Sequence, residues 1–202
     1  MKKLLFTFLL VLSATTLTAQ TWKKATPTRQ AQLMKAIATA ARSVKQMGAS
    51  FVQTTEVSYM EEAVRTEGKM VYNNRGSLKW EYLKPYRYGF ELNDKNVTLQ
   101  TDGTTKTIDL SSSKSFRLIA GLVKGSITGQ SLGGSRDFKA VMYENGTTWR
   151  ADLMPIRPQL KRFIRSVTLY FDRKRKVVDK VVMTQSNEDR ITVVLRDIKI
   201  TR

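Results

Sequence analysis

Residues 78–92 read LKWEYLKPYRYGFEL, and the parity of this stretch decides the fold. Trp80, Tyr82, Tyr86, Tyr88 and Phe90 all fall on even positions, and Leu78 and Leu92 extend the series. The odd positions hold Lys79, Glu81, Leu83, Pro85, Arg87, Gly89 and Glu91, a mixed and largely charged set. Alternate side chains of an extended chain point to opposite faces, so the stretch predicts a strand with one broad apolar face. Pro85 has no amide hydrogen for a ladder, and Lys84 breaks the apolar parity just before it. Together they predict a bend at an edge or junction, with two shorter strands turned to one side. That side is either the floor of a filled core or the lining of a binding cavity. Parity alone leaves both open.

The period of two continues outward. Phe51, Thr55, Val57 and Tyr59 alternate with polar neighbours, a run holding Met70 and Tyr72 follows, and Asn73-Asn74-Arg75-Gly76 is a turn. Downstream, Asn93-Asp94-Lys95-Asn96 turns into Val97, Leu99 and Thr101, and Asp102-Gly103 turns into the run 106–110. Strands resume over 138–143, turn at Asn145-Gly146 and return over 148–153. Phe163, Val167, Leu169 and Phe171 share one parity, Val177, Val181 and Met183 make another run, and a last one begins near Arg190. The pattern predicts a mainly β, α+β protein built on an antiparallel meander of ten strands, or eleven if 78–92 divides.

Two segments break the meander. Thr26-Pro27 predicts a helix start, because Thr caps and Pro suits the first helical position. Leu33, Ile37, Ala40, Val44 and Met47 then recur at spacings of 4, 3, 4 and 3, and Gly48 is placed to end the helix. A second short helix is predicted over 115–124, carrying Phe116, Leu118, Ile119, Leu122 and Val123, followed by a glycine-rich loop to Ser135.

Composition narrows the function. The chain of 202 residues suits one domain and holds no cysteine and no histidine. Disulfides, His or Cys metal sites and nucleophiles activated by His are excluded with them. Glu61 and Glu62 are adjacent, so on a strand they face opposite ways and share no task. No phosphate loop or Ser-x-x-Lys constellation assembles, and the sequence predicts neither an enzyme nor a cofactor. The start Met1-Lys2-Lys3, the apolar run 4–12 and the small residues ending in Leu17-Thr18-Ala19 predict a secretory signal peptide over 1–19. The mature protein is expected to be soluble and exported, with residues 20–202 as one domain. Two lysines lie within the signal, so the formal charge of +18 becomes +16 on cleavage. Such a charge favours an anionic partner, and the stretch 157–180 is densest in cations, with Lys174, Arg175 and Lys176 as the expected docking residues for an acidic surface. Export argues against nucleic acid.

With these residues in view, the chain resembles the periplasmic lipoprotein carrier family, LolA. The resemblance rests on Phe51-Val52-Gln53 opening the first strand, Gly68 in the second, Arg75 before Trp80, and Tyr82 with Pro85. Asp102-Gly103, an apolar helix inserted between strands, and Trp149, Leu153 and Pro155 complete it. It implies an unclosed antiparallel half-barrel whose concave side is covered by helices. Met70, Tyr72, Trp80, Tyr82, Tyr86, Tyr88, Phe90, Leu92, Val97 and Leu99 would line a lipid cavity. Leu33, Ile37, Val44, Phe116, Ile119 and Val123 would form its lid. Arg75 is the candidate latch, with Gly76 where the family pattern has Pro. The implied activity is that of a monomer shielding the acyl chains of lipoproteins between an inner-membrane releasing transporter and an outer-membrane receptor. A carrier of another lipid or pigment precursor, and a periplasmic lipid-sensing or adaptor module, are the alternatives.

Overall fold

In the computed structural model of the chain, the described residues are 21–101, 103–111, 121, 124–125, 132 and 137–202. The expected signal peptide, and Phe116, Ile119 and Val123 with most of the helix and loop expected over 115–135, lie outside them.

The strands are β1 (Lys23–Lys24), β2 (Gln46–Glu56), β3 (Val64–Asn73), β4 (Leu78–Lys84), β5 (Tyr88–Leu92) and β6 (Asn96–Thr101). They continue as β7 (Thr104–Asp109), β8 (Phe138–Glu144), β9 (Thr148–Pro155), β10 (Ile164–Asp172), β11 (Val178–Gln185) and β12 (Arg190–Thr201). All join one sheet in the order β1-β8-β9-β10-β11-β12-β2-β3-β4-β5-β6-β7, and every pairing is antiparallel. The two edge strands, β1 and β7, do not pair, so the sheet is unclosed. The opening stretch is indeed two strands, β4 and β5, joined by a turn at Pro85. The strand beyond the expected eleven is β1, whose two exposed lysines carry no apolar period to read.

Helix α1 (Pro27–Ser43) begins as the sequence predicts, with Thr26 Oγ1 accepting from the Arg29 amide at 3.3 Å. Its end differs. The helix stops at Ser43, and Met47 and Gly48 belong to β2. Lys45 N donates to Thr201 O at 2.8 Å and Asn74 N donates to Lys45 O at 2.9 Å, so the backbone has already entered the sheet before Gly48. Val44 and Met47 are buried from the connection and the strand, which made the helical spacing look longer than it is.

The 17 residues of α1 rise about 25 Å. At its start Ala25 N donates to Met142 O, and the Arg29 guanidinium bonds both Glu144 oxygens, at 3.2 and 2.9 Å, fastening the helix to β8. At its end the chain enters β2, five strand spacings away, or about 24 Å along a sheet. The helix therefore bridges β8 to β2 over one face, and its buried Leu33 and Ile37 share a single apolar core with the strands below. A further short helix among the described residues, α2 (Pro158–Lys161), is one turn at the opposite end of the strands. Phe163, expected inward, is exposed; a register shift between Ile164 and Ser166 puts Ile164 into the core instead.

Candidate functional site

The inward face is set by register. One row runs Met142, Ala151, Leu169, Val181, Val193, Gln53 and Thr66 across seven strands. A second, nearer the end away from α1, runs Ala140, Leu153, Val167, Met183, Ile191, Thr55 and Val64. The β8–β10 members are almost all fully buried, Leu153 and Leu169 at 0% exposure. From β11 to β2 the same rows are only half-buried: Val181, Met183, Ile191, Val193, Gln53 and Thr55 all keep solvent access. No charged side chain interrupts either row. The face changes from sealed to open while staying aliphatic through β12, and polar Gln53 and Thr55 enter it only at β2.

Beyond β2 the floor becomes aromatic. Gly68 makes this possible, since a Cβ there would collide with the Phe51 ring and with the Glu81 carbonyl of β4. The Phe51 ring occupies that space and stacks on Trp80 at 4.3 Å between centroids, with Tyr82 edge-on at 5.2 Å. Trp80 lies parallel to Phe90 at 6.3 Å, and Tyr82 stacks on Tyr88 at 4.2 Å. Offset ring pairs of this kind give wide contact in a fixed orientation. Tyr82 donates to Gln53 Oε1 at 2.9 Å. Burial, then the neighbouring Tyr88, pushes its hydroxyl up from the ordinary value of 10.0 to about 12, so it stays neutral and apolar-facing at any physiological pH. Thr66 Oγ1 is buried on this face without a hydrogen-bond partner among the described residues.

The residues expected to line a cavity divide by depth. Met70, Tyr72, Trp80, Leu92 and Val97 are buried, while Tyr82, Phe90 and Leu99 are half-buried. Along β5 exposure climbs from 2% at Leu92 to 40% at Tyr88. Tyr86 is 77% exposed and sits in the β4–β5 turn, outside both strands. Its even number continued the parity through a turn, where alternation no longer fixes direction. Of the expected lid, Leu33, Ile37 and Val44 are buried against the core. Arg75 is exposed in the β3–β4 turn; its amide bonds Asn73 Oδ1 at 3.0 Å, and its guanidinium has no partner among the described residues. Near it, Asp94 receives Lys124 Nζ at 2.5 Å.

Lys174, Arg175 and Lys176 occupy the β10–β11 turn beside α1. With Lys35, Thr39 and Arg202 they line a groove of about 510 Å³. Arg175 is partly neutralised by Asp172, and its carbonyl accepts from Arg202.

Sequence reasoning missed the central stretch of the floor: Val181 and Met183 on β11, and Ile191 and Val193 on β12. Their alternation was visible, but only the pairing of β12 with β2 brings them beside Phe51 and Gln53.

No protein-family model matches the sequence, and no curated protein matches it. Among solved structures, the chain is similar to a LolA superfamily protein from Nitrosomonas europaea, at 9% identity and a TM-score of 0.44 over 84% of this chain and 94% of that one. It is similar to the lipoprotein LppX of Mycobacterium tuberculosis, at 8% identity and a TM-score of 0.49 over 86% and 96% of the two chains. A putative outer membrane lipoprotein-sorting protein domain from Vibrio parahaemolyticus gives 12% identity and a TM-score of 0.42 over 85% and 91%. These likenesses are of structure and not of sequence, and they assign neither a cargo nor a site residue.

Proposed function

We propose that this chain is an exported, periplasmic carrier that shields the acyl chains of lipoproteins against the inward face of its sheet. In this reading it takes them from an inner-membrane releasing transporter and passes them to an outer-membrane receptor. The observation that carries the reading is the gradation of one uncharged face, sealed over β8–β10 and open from β11 through β2 to the aromatic rings of β4 and β5. An ordinary core has no reason to leave Met183 and Val193 on one side of the buried β3, and Phe90 and Tyr88 on the other, partly exposed. Burying one methylene is worth about 0.8 kcal/mol, so a ~16-carbon chain resists water by roughly 12 kcal/mol. A carrier must offset most of that without covalent chemistry, and a broad apolar face does so reversibly. The buried hydroxyl Thr66 Oγ1, without a partner among the described residues, suits the carbonyl end of an acyl group.

The test is release. The protein is incubated with inner-membrane vesicles holding a labelled lipoprotein and the releasing transporter, and the soluble fraction is sized. Recovery of a one-to-one complex supports the reading; lipoprotein that stays in the vesicles at saturating protein refutes it. A carrier of another lipid or of a pigment precursor would instead show a smaller bound mass by native mass spectrometry, with no protein cargo.

A further inference from the structure

The exposed apolar side chains are not scattered. Nine large ones stand exposed among the described residues, and all but Val71 lie at the rim away from α1. Two corners of that rim combine them with cations. The β4–β5 turn carries Tyr86, 77% exposed, between Lys84 and Arg87. The β9–β10 connection carries Met154, Ile156 and Phe163, each about half exposed, around Lys161 and Arg162. Arg157 and Arg165 are paired with Asp137 and Glu188, and Lys84 with Glu67 at 3.7 Å, whereas Arg87, Lys161 and Arg162 enter none of the ion pairs among the described residues. The β2–β3 turn is the acidic exception, with Glu61 and Glu62 beside Tyr59 and Met60.

We infer that these two corners dock the rim onto an anionic lipid bilayer surface. Scattered single exposed apolar residues need no explanation, but a concentration at one edge marks an interaction surface. Tyrosine and other amphipathic side chains favour the level of the head groups, and cations beside them add attraction to anionic lipid. Charge complementarity selects this occupant, since the unpaired groups at both corners are all cationic on a chain of net +18. The corners also flank the open end of the inward face, where Tyr88 and Met183 lie. Docking there would set that face against the membrane. The inference deepens the carrier reading in this respect, but it is measured separately.

The absence of cysteine supplies the probe. Phe163→Cys and Tyr86→Cys proteins carry an environment-sensitive dye, with Val71→Cys on the opposite face as control. Each is titrated with vesicles of phosphatidylcholine alone and of phosphatidylcholine with phosphatidylglycerol. The expected result is a blue shift at 163 and 86 with the anionic vesicles, weaker with neutral ones, and none at 71. In cosedimentation, Tyr86→Ser/Ile156→Ser/Phe163→Ser should partition roughly tenfold more weakly. Lys161→Gln/Arg162→Gln should lose the preference for anionic lipid. Circular dichroism and binding of a soluble fluorescent fatty acid should be unchanged in these variants. No anionic-vesicle binding by the wild-type protein, or equal binding by the triple variant, overturns the inference. So does a blue shift that appears without vesicles and rises with protein concentration, which marks pairing of two copies. Vesicle docking without fatty-acid binding would keep this inference and refute the carrier reading.

Discussion

The two halves of the inward face share a chemistry and differ in cover. On β8–β10, Met142, Ala151, Leu153, Val167, Leu169 and Phe171 lie at 0–1% exposure. On β11–β12 the register-matched Val181, Met183, Ile191 and Val193 stay half-exposed, as do Tyr82, Phe90 and Leu99 further on. The first half behaves as a core whose atoms are already committed to one another. The second presents the same kind of surface with capacity left over. The difference teaches that residue type alone does not separate the two halves; unspent burial does, and it is what the proposed binding face rests on.

The comparison breaks or sharpens under substitution. The largest effect is expected at Leu169→Ala, with a loss of about 3 kcal/mol in unfolding free energy. Fatty-acid affinity per folded molecule should not change. Urea unfolding followed by circular dichroism measures the first, and titration of the refolded fraction the second. Gly68→Ala comes next: the new Cβ meets a backbone carbonyl as well as the Phe51 ring, so β3 and β4 must part. It should cost about 2 kcal/mol and alter the near-ultraviolet dichroism of the Phe51–Trp80 pair. Met183→Ser with Val193→Thr should cost about 1 kcal/mol of stability or less, yet weaken fatty-acid binding about fivefold. If instead stability falls as far as at Leu169, the second half is core like the first.

The smallest effect is electrostatic. The folded-state pKa of Tyr82 is raised, from 10.0 to about 12, so the neutral phenol is the form the fold favours. Its contribution is fully present below pH 10 and is lost as pH rises through about 12. Wild-type stability should therefore decline over that window, and Tyr82→Phe should decline less steeply. Parallel declines would remove Tyr82 from the buried floor.

Much of this architecture was legible. Parity over 78–92 gave the face of β4 and β5, Pro85 gave their junction, and Thr26-Pro27 gave the start of α1. Three features escaped for physical reasons. The end of α1 was hidden because Val44 and Met47 are buried by different structures that happen to continue a helical spacing. Ile164 replaced Phe163 because a register shift, which leaves no mark in hydropathy, exchanges the faces. Tyr86 stayed on the even series through a turn. The site was half legible: its aromatic part lies in one contiguous stretch, whereas Met183, Ile191 and Val193 join it only through long-range pairing with β2.

The most direct test is titration of the purified protein with a fluorescent fatty acid, wild type against Phe90→Ser. Phe90 is half-buried and stacks on Trp80, so its loss should spare the fold and remove part of the floor. The account predicts saturable binding by the wild type and at least roughly tenfold weaker binding by the variant, for about 1.5–3 kcal/mol of apolar contact. Non-saturable binding by the wild type, or equal affinity in both, would contradict it.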